Sequence, residues 1–260
     1  MSAKTSQDTN IVPEIKYRPS KLGYIGSGAS GVVNRVPCGD VVKSPWPGSR
    51  AAASRRDITT ESLIYKKLDH HPRLIRTLDW NPEDCVLTME YMPNGTLKEF
   101  LSMNNEAIST ALRLRWAKEA AEGLQMLHEA EVVHCDVEPK NFLLDSDLDL
   151  KISDFSGSSL EGSRASACAG RRYARGGFDF HSQQTMSDDL FGLGSTIYFI
   201  MTGQKPFEDL PSDEVERRYR DQVYPDVSGL KCGSLIRQCW DSQITSAQEV
   251  YEYLRDNVHV

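Results

Sequence analysis

The sequence has no apolar run of the roughly 18 residues needed to cross a bilayer. Its best stretch, residues 190–201, is shorter and carries Gly and Ser. The opening from Met1 to Asn10 is polar and lacks the apolar core of a signal peptide. Both absences give the expectation of no membrane attachment and a cytoplasmic or nuclear location. No Cys-x-x-Cys pair occurs either. Cys38, Cys85, Cys135, Cys168, Cys232 and Cys239 are scattered, which argues against structural zinc or a disulfide framework and for reduced thiols. An excess of positive charge is missing as well. Lys and Arg number 30 against 37 Asp and Glu, a net charge of −7, so wrapping of nucleic acid is not expected. No internal repeat is visible.

What is present suits a globular chain: 39% hydrophobic and 26% charged residues. With 260 residues, about three quarters of the unfolded surface can be buried without a metal or disulfide staple. The length allows one large domain or two lobes sharing a cleft.

Residues 1–20 are polar and closed by Pro13 and Pro19, which predicts a flexible tail. Short β-branched pieces between residues 21 and 44 predict a meander of strands, ended by Pro45 and Pro47, which lack a ladder donor. Residues 51–68 have no internal Pro or Gly and carry Ile64 and Leu68 at helical spacing. Strands are expected near 74–80 and 85–90. After Pro93-Asn94-Gly95 the pattern turns helical, with Leu114, Ala117, Ala121, Leu124 and Leu127 striping residues 111–130. Two short strands, 142–144 and 150–152, flank Asp145-Ser146-Asp147. The Ser-, Gly- and Arg-rich residues 156–177 read as a long loop, and helices resume at about 188–202, 212–221, 233–240 and 246–257. Sheet first and helices afterwards predicts an α+β fold of two lobes.

Four features carry chemistry. Gly26-Ser27-Gly28-Ala29-Ser30-Gly31 is a turn between strands in which backbone amides can approach phosphate oxygens without a Cβ in the way. No Gly-Lys-Ser/Thr follows it, and neither does a helix, so Walker and Rossmann turns are excluded. Lys43 ends an apolar strand beside that turn, and Glu61 on the next helix is its natural ion-pair partner. Asp136, in His134-Cys135-Asp136-Val137-Glu138-Pro139-Lys140-Asn141, can accept a hydroxyl proton. Asn141 and Asp154, the latter in Asp154-Phe155-Ser156, offer the hard oxygen ligands a magnesium ion prefers.

In this order the motifs resemble the protein kinase family over roughly residues 21–257, and more weakly its small single-domain fungal members. The resemblance implies a kinase domain over 21–260, with a smaller sheet lobe carrying one helix (about 21–92) and a larger helical lobe (about 93–260). It implies ATP and Mg²⁺ as cofactors. Gly26, Gly28 and Gly31 would then cover the phosphates, Lys43 would contact two of them, and Glu61 would orient Lys43. Asp136 would be the catalytic base, while Asn141 and Asp154 would hold the metal. Met89 would be the gatekeeper, and backbone groups near Glu90 and Met92 would bind adenine between Val33, Val41 and Leu143. Asp189 matches the aspartate that braces the catalytic loop. His134 is expected to stack with Phe155 and Tyr65 rather than bind metal.

The departures from the pattern matter for mechanism. Cys135 stands where the family has an arginine that pairs with a phosphorylated loop, so activity is expected not to need that phosphate. Glu138 replaces a lysine near the transferred phosphate, with Lys140 as the compensating charge. Ser156 replaces a glycine and narrows the backbone's freedom to flip, with a forced positive φ costing roughly 1 kcal/mol, so altered switching rather than lost magnesium binding is expected. The Ala-Pro-Glu motif and the arginine that follows Cys-Trp in the family are absent together; loss of both partners of a buried ion pair is far cheaper than loss of one. The reading is a protein kinase, serine or threonine acceptors favoured, with Lys140 hinting at tyrosine. Two alternatives stay open on sequence: a nucleotide-binding scaffold without turnover, and a small-molecule phosphotransferase. The protein substrate is not legible, and a monomer is the default.

Overall fold

The computed structural model describes residues 15–16, 22–177 and 182–257. The tail expected over residues 1–20 therefore lies outside the described residues, apart from Ile15 and Lys16. Lys16 exchanges main-chain hydrogen bonds with the Asn104 side chain, at 2.6 and 3.1 Å.

The smaller lobe is an antiparallel sheet of β1 (Gly23–Ser27), β2 (Val32–Arg35), β3 (Val41–Ser44), β4 (Thr77–Asn81) and β5 (Val86–Met89), in the order β1-β2-β3-β5-β4. Strand alternation buries Val41 and Lys43 on one face of β3 while Val42 is turned to the other. Helix α1 (Ala51–Leu68) buries Ile58, Glu61, Ile64 and Tyr65, so its buried face includes a carboxylate as well as aliphatic side chains. The expected strand over 74–80 begins only at Thr77. Arg73 and Leu74 are used elsewhere: Arg73 C=O accepts from Ile152 N–H at 2.8 Å, and Leu74 bridges Ile152 in parallel, stitching one lobe to the other.

The larger lobe begins with α2 (Leu97–Asn104), started by the Thr96 hydroxyl, which accepts the Glu99 N–H at 3.2 Å. Its central element is α3 (Thr110–Glu129), whose striped residues Leu114, Ala117, Ala121 and Leu124 are all buried. Around α3 pack α4 (Met186–Thr202) and α7 (Ala247–Asn257), with α6 (Gly233–Trp240) against α4 and α5 (Ser212–Arg220) at the periphery. A capping box between Thr185 and Asp188 starts α4 two residues earlier than the apolar pattern indicates. Two small ribbons lie at the top of this lobe: β6 (Val132–Val133) with β9 (Ser159–Leu160), and β7 (Phe142–Leu144) with β8 (Leu150–Ile152). The segment expected to be all loop thus contributes β9, paired where Val133 faces Ser159. Among the described residues no helix is long and apolar enough to cross a membrane.

Candidate active site

The site assembles along the seam between the lobes. The glycine turn links β1 to β2 and closes on itself through Gly28 N–H to Gly31 C=O, 3.0 Å. Gly31 has a steric reason to be glycine, because a Cβ there would strike the Ser44 carbonyl of β3. Val33 faces Lys43 across β2 and β3, and Val41 faces Met89 across β3 and β5. Leu143 of β7 pairs with Lys151 and bridges Thr96. The backbone after Met89 is partly committed: Glu90 N–H donates to Arg76 C=O at 3.0 Å and Met92 C=O accepts from Gly95 at 3.2 Å. The Glu90 carboxylate accepts the Arg76 N–H at 2.8 Å.

Lys43 is the charged centre. Its Nζ lies 2.6 Å from Glu61 Oε2 and 2.7 Å from Asp154 Oδ1, with the ammonium and Glu61 both nearly inaccessible to solvent. Burial disfavours the charged lysine, yet Asp154 and Glu61 outweigh it and hold the ammonium above its ordinary range. Asp154 is likewise opposed by burial, but Lys43 keeps it well below the usual carboxylate range. Burial dominates at Glu61 and pushes it up. Asp154 itself takes φ of 63°, whereas Ser156 does not lie in the left-handed region. Ser156 thus avoids the cost of a forced positive φ, and the left-handed backbone sits at the carboxylate, two residues earlier, where Asp tolerates it better than most residues.

The loop that carries Asp136 is hung from α4. The buried Asp189 carboxylate accepts His134 N–H at 2.7 Å and Cys135 N–H at 2.8 Å, and lies 3.0 Å from His128 Nε2. His134 stacks edge-on against Phe155 at 5.7 Å, Phe155 against Tyr65 at 5.0 Å, and His134 Nε2 lies 3.0 Å from Ser153 C=O. The ring is a spacer in this stack, and burial lowers its pKa. The Asn141 amide donates to Asp136 C=O at 2.7 Å and to Oδ2 at 2.9 Å. Ser153 donates both N–H and Oγ–H to Asn141 C=O at 2.9 Å, which joins this loop to Asp154. Asp136 Oδ1 is buried and has no hydrogen-bond partner. Such an acceptor is costly unless something else supplies the proton.

Lys140 lies between two acids, 3.0 Å from Asp136 Oδ2 and 2.7 Å from Glu138 Oε1. Glu138 also accepts Gly170 N–H at 3.2 Å, so its charge is engaged locally. Burial and the neighbouring Glu138 push Asp136 up to about 7, against the pull of Lys140. Glu138 goes the other way: burial raises it, but Asp136 and Lys140 hold it low.

Two further departures from the pattern have structural counterparts. Cys135 is buried with its Sγ 3.2 Å from Val133 C=O, so no cation waits there for a phosphate. Arg172 and Arg175 of the long segment are fastened instead of free: Arg172 donates to Phe207 and Leu210 carbonyls. Arg175 donates to Ser242 Oγ and Ser187 Oγ, each at 2.6 Å. Arg175 thereby ties the segment to the chain just after α6 without a buried ion pair. Two contacts were not legible in the sequence. Ser166 Oγ donates to Asp57 at 3.2 Å, and Lys67 pairs with Glu161, so the segment braces the helix that carries Glu61. These pairs are 109 and 94 residues apart and belong to no local motif.

No group of three or more His, Cys, Asp or Glu side chains stands ready to hold a metal among the described residues. Asn141 and Asp154 are two hard oxygen donors, the pattern that suits a small divalent cation completing its shell with phosphate oxygens and water. The residues present fit that group.

A lysine shared by two carboxylates under a glycine turn, with a buried carboxylate oxygen left without a hydrogen-bond partner on the facing loop, is a two-lobed arrangement of the kind phosphoryl transfer uses. A family profile described as protein kinase domain matches residues 20–255. The receptor tyrosine-protein kinase erbB-4 of Homo sapiens is 30% identical over 261 residues, covering 92% of this chain and 20% of that protein. A probable LRR receptor-like serine/threonine-protein kinase of Arabidopsis thaliana is 31% identical over 205 residues, 72% of this chain and 21% of that one. The dual specificity protein kinase shkC of Dictyostelium discoideum is 26% identical over 277 residues, 95% of this chain and 53% of its own length. The chain belongs to the protein kinase family. It spans between 20% and 53% of the length of these three relatives.

Proposed function

We propose that this chain transfers the γ-phosphoryl group of ATP, with Mg²⁺, to serine or threonine hydroxyls of a protein. The observation that carries the proposal is the buried, partnerless Asp136 Oδ1, held by the Asn141 amide on its other oxygen. An incoming hydroxyl would donate its hydrogen bond to that atom and lose the proton to it as the phosphoryl group moves. Lys43, kept charged by Glu61 and Asp154, would orient the phosphates. The Glu90 carbonyl and Met92 N–H are the hinge groups left to meet an adenine edge. Bound at Asn141 and Asp154, the metal would supply charge neutralisation on the transferring phosphoryl oxygens. The preference for serine and threonine rests on the weight of that class in the family; relatives of both acceptor classes match. Radiolabelled ATP with serine-, threonine- and tyrosine-bearing acceptor proteins tests the reading, and label on tyrosine alone would reverse the acceptor.

Lys140→Ala should lower turnover by roughly ten- to a hundredfold, since it exposes the phosphate to Glu138. The base works deprotonated, so activity rises as pH passes its pKa, pushed up to about 7 in the free protein. Lys140 lowers that value, so the variant's acid limb should move to higher pH. A pH–rate profile checks both, and unchanged turnover removes Lys140 from the mechanism.

The exposed Ser163, outside the contacts that brace α1, gives the test of phosphate independence. Its change to Ala should leave turnover within about twofold, as surface substitutions usually do. Abolished activity would mean that a phosphate is needed after all.

A further inference from the structure

Ser156 does more than fill a glycine position. Its Oγ lies 2.8 Å from Asp154 Oδ1, 3.3 Å from Lys43 Nζ and 2.8 Å from Ser30 Oγ, which belongs to the glycine turn 126 residues earlier. Ser30 is 5% exposed, although its turn is where a triphosphate would enter. The outer side of the turn is fastened separately. Trp46 Nε1 donates to Gly28 C=O at 2.9 Å, and the Ser54 hydroxyl, which accepts Trp46 N–H at 2.9 Å, donates to Ser30 C=O. The turn is therefore anchored from behind by Trp46 and Ser54 and drawn inward at one point, the Ser30–Ser156 contact.

From this geometry we infer that Ser30 and Ser156 are positioning residues that form a latch, holding the glycine turn down over Lys43 and Asp154 until nucleotide displaces it. Asp154 Oδ1 is the atom on which the argument turns. It now receives both Lys43 and Ser156, and a cation or phosphate brought to that carboxylate and lysine competes with the Ser156 hydroxyl for them. Binding then includes the loss of the latch, so the apparent nucleotide affinity is lower than the open turn would give. This inference rests on the nucleotide-binding reading above.

Titration calorimetry with ADP and Mg²⁺ on the wild-type chain, Ser30→Ala, Ser156→Ala and the double variant tests it. Each single change should tighten ADP by about two- to tenfold, the range set by the net worth of one hydrogen bond. The double variant should gain no more than Ser156→Ala alone, because that change already removes the Ser30 link together with the Asp154 one. In the nucleotide-free Ser156→Ala protein, the part of the tryptophan emission lost in Trp46→Phe should shift toward that of the ADP-bound wild type. Unchanged or weakened affinity in the single variants, additive effects, or an unmoved Trp46 signal would each overturn the latch. If one serine variant does not fold, the other removes the same contact from the opposite side. A folded wild type that binds no ADP overturns the nucleotide reading together with the latch, whereas normal binding with unaltered variants overturns the latch alone.

Discussion

Asp136→Asn is expected to reduce phosphoryl transfer by roughly 10²- to 10⁴-fold, the contribution of a positioned general base. The substitution keeps the size and the hydrogen-bonding surface of the side chain while removing its capacity to take a proton. Because the Asp136 carbonyl, not the carboxylate alone, anchors the Asn141 amide, the loop should keep its shape. Nucleotide affinity should therefore stay near that of the wild type while turnover collapses. Single-turnover kinetics alongside a binding titration separate the two. Full turnover in Asp136→Asn would place the base elsewhere and leave the buried, partnerless oxygen unexplained. The same variant discriminates a scaffold from an enzyme, since a scaffold has no turnover for it to remove.

Removal of the lysine has the second large effect, and it reaches stability as well as function. Lys43→Met fills similar volume but strands Glu61, whose side chain is only 1% exposed. Breaking a buried pair from one side costs about 3–5 kcal/mol. The lower part of that range is expected here, because the Asp154 side chain is 41% exposed toward the cleft and can rehydrate. The pH dependence follows from the directions of the shifts. Lys43 is raised, so its contribution is complete below the unfolded lysine value and fades as pH rises through the folded one. Asp154 is depressed, so its contribution is present above the unfolded carboxylate value and fades as pH falls through the folded one. Glu61 is raised and opposes folding when charged. Without Lys43 it should rise further and prefer the protonated form. The stability gap between wild type and Lys43→Met should thus be widest near neutrality and narrow in acid. Denaturant unfolding at neutral and acid pH measures it, and a gap that does not change with pH would show that the charges are not what the methionine removed. Nucleotide binding should be lost alongside.

How much of this was legible beforehand differs from residue to residue. The pairing of Lys43 with Glu61 could be suggested from their charges and gained weight only from the later motifs and the family resemblance, because the local periodicity of strand and helix does not fix which acid the lysine meets. The helix over Ala51–Leu68 was legible from the absence of internal Pro and Gly and from Ile64 and Leu68 at helical spacing. The start of α4 was misjudged by two residues because a cap, not an apolar side chain, begins it. Thr77 begins β4 late because Arg73 and Leu74 are claimed by the other lobe, a demand invisible in the strand's own pattern. Ser156 illustrates the limit most directly. Its departure from glycine could be seen in the sequence and suggested a backbone effect, whereas its contact with Ser30 is a matter of the hydroxyl.

The amino-acid order alone pointed to the groups proposed for phosphoryl transfer, because the motifs that carry Lys43, Glu61, Asp136, Asn141 and Asp154 follow one another as they do in the family the sequence resembles. Tertiary structure decided their electrical state and their restraints: the lift of Asp136 toward neutrality, the sharing of Lys43 between two acids, the bracing of α1 by Asp57 and Lys67, and the fastening of Arg172 and Arg175. Those properties depend on burial and on distances between segments far apart in the chain. Local periodicity carries no record of either.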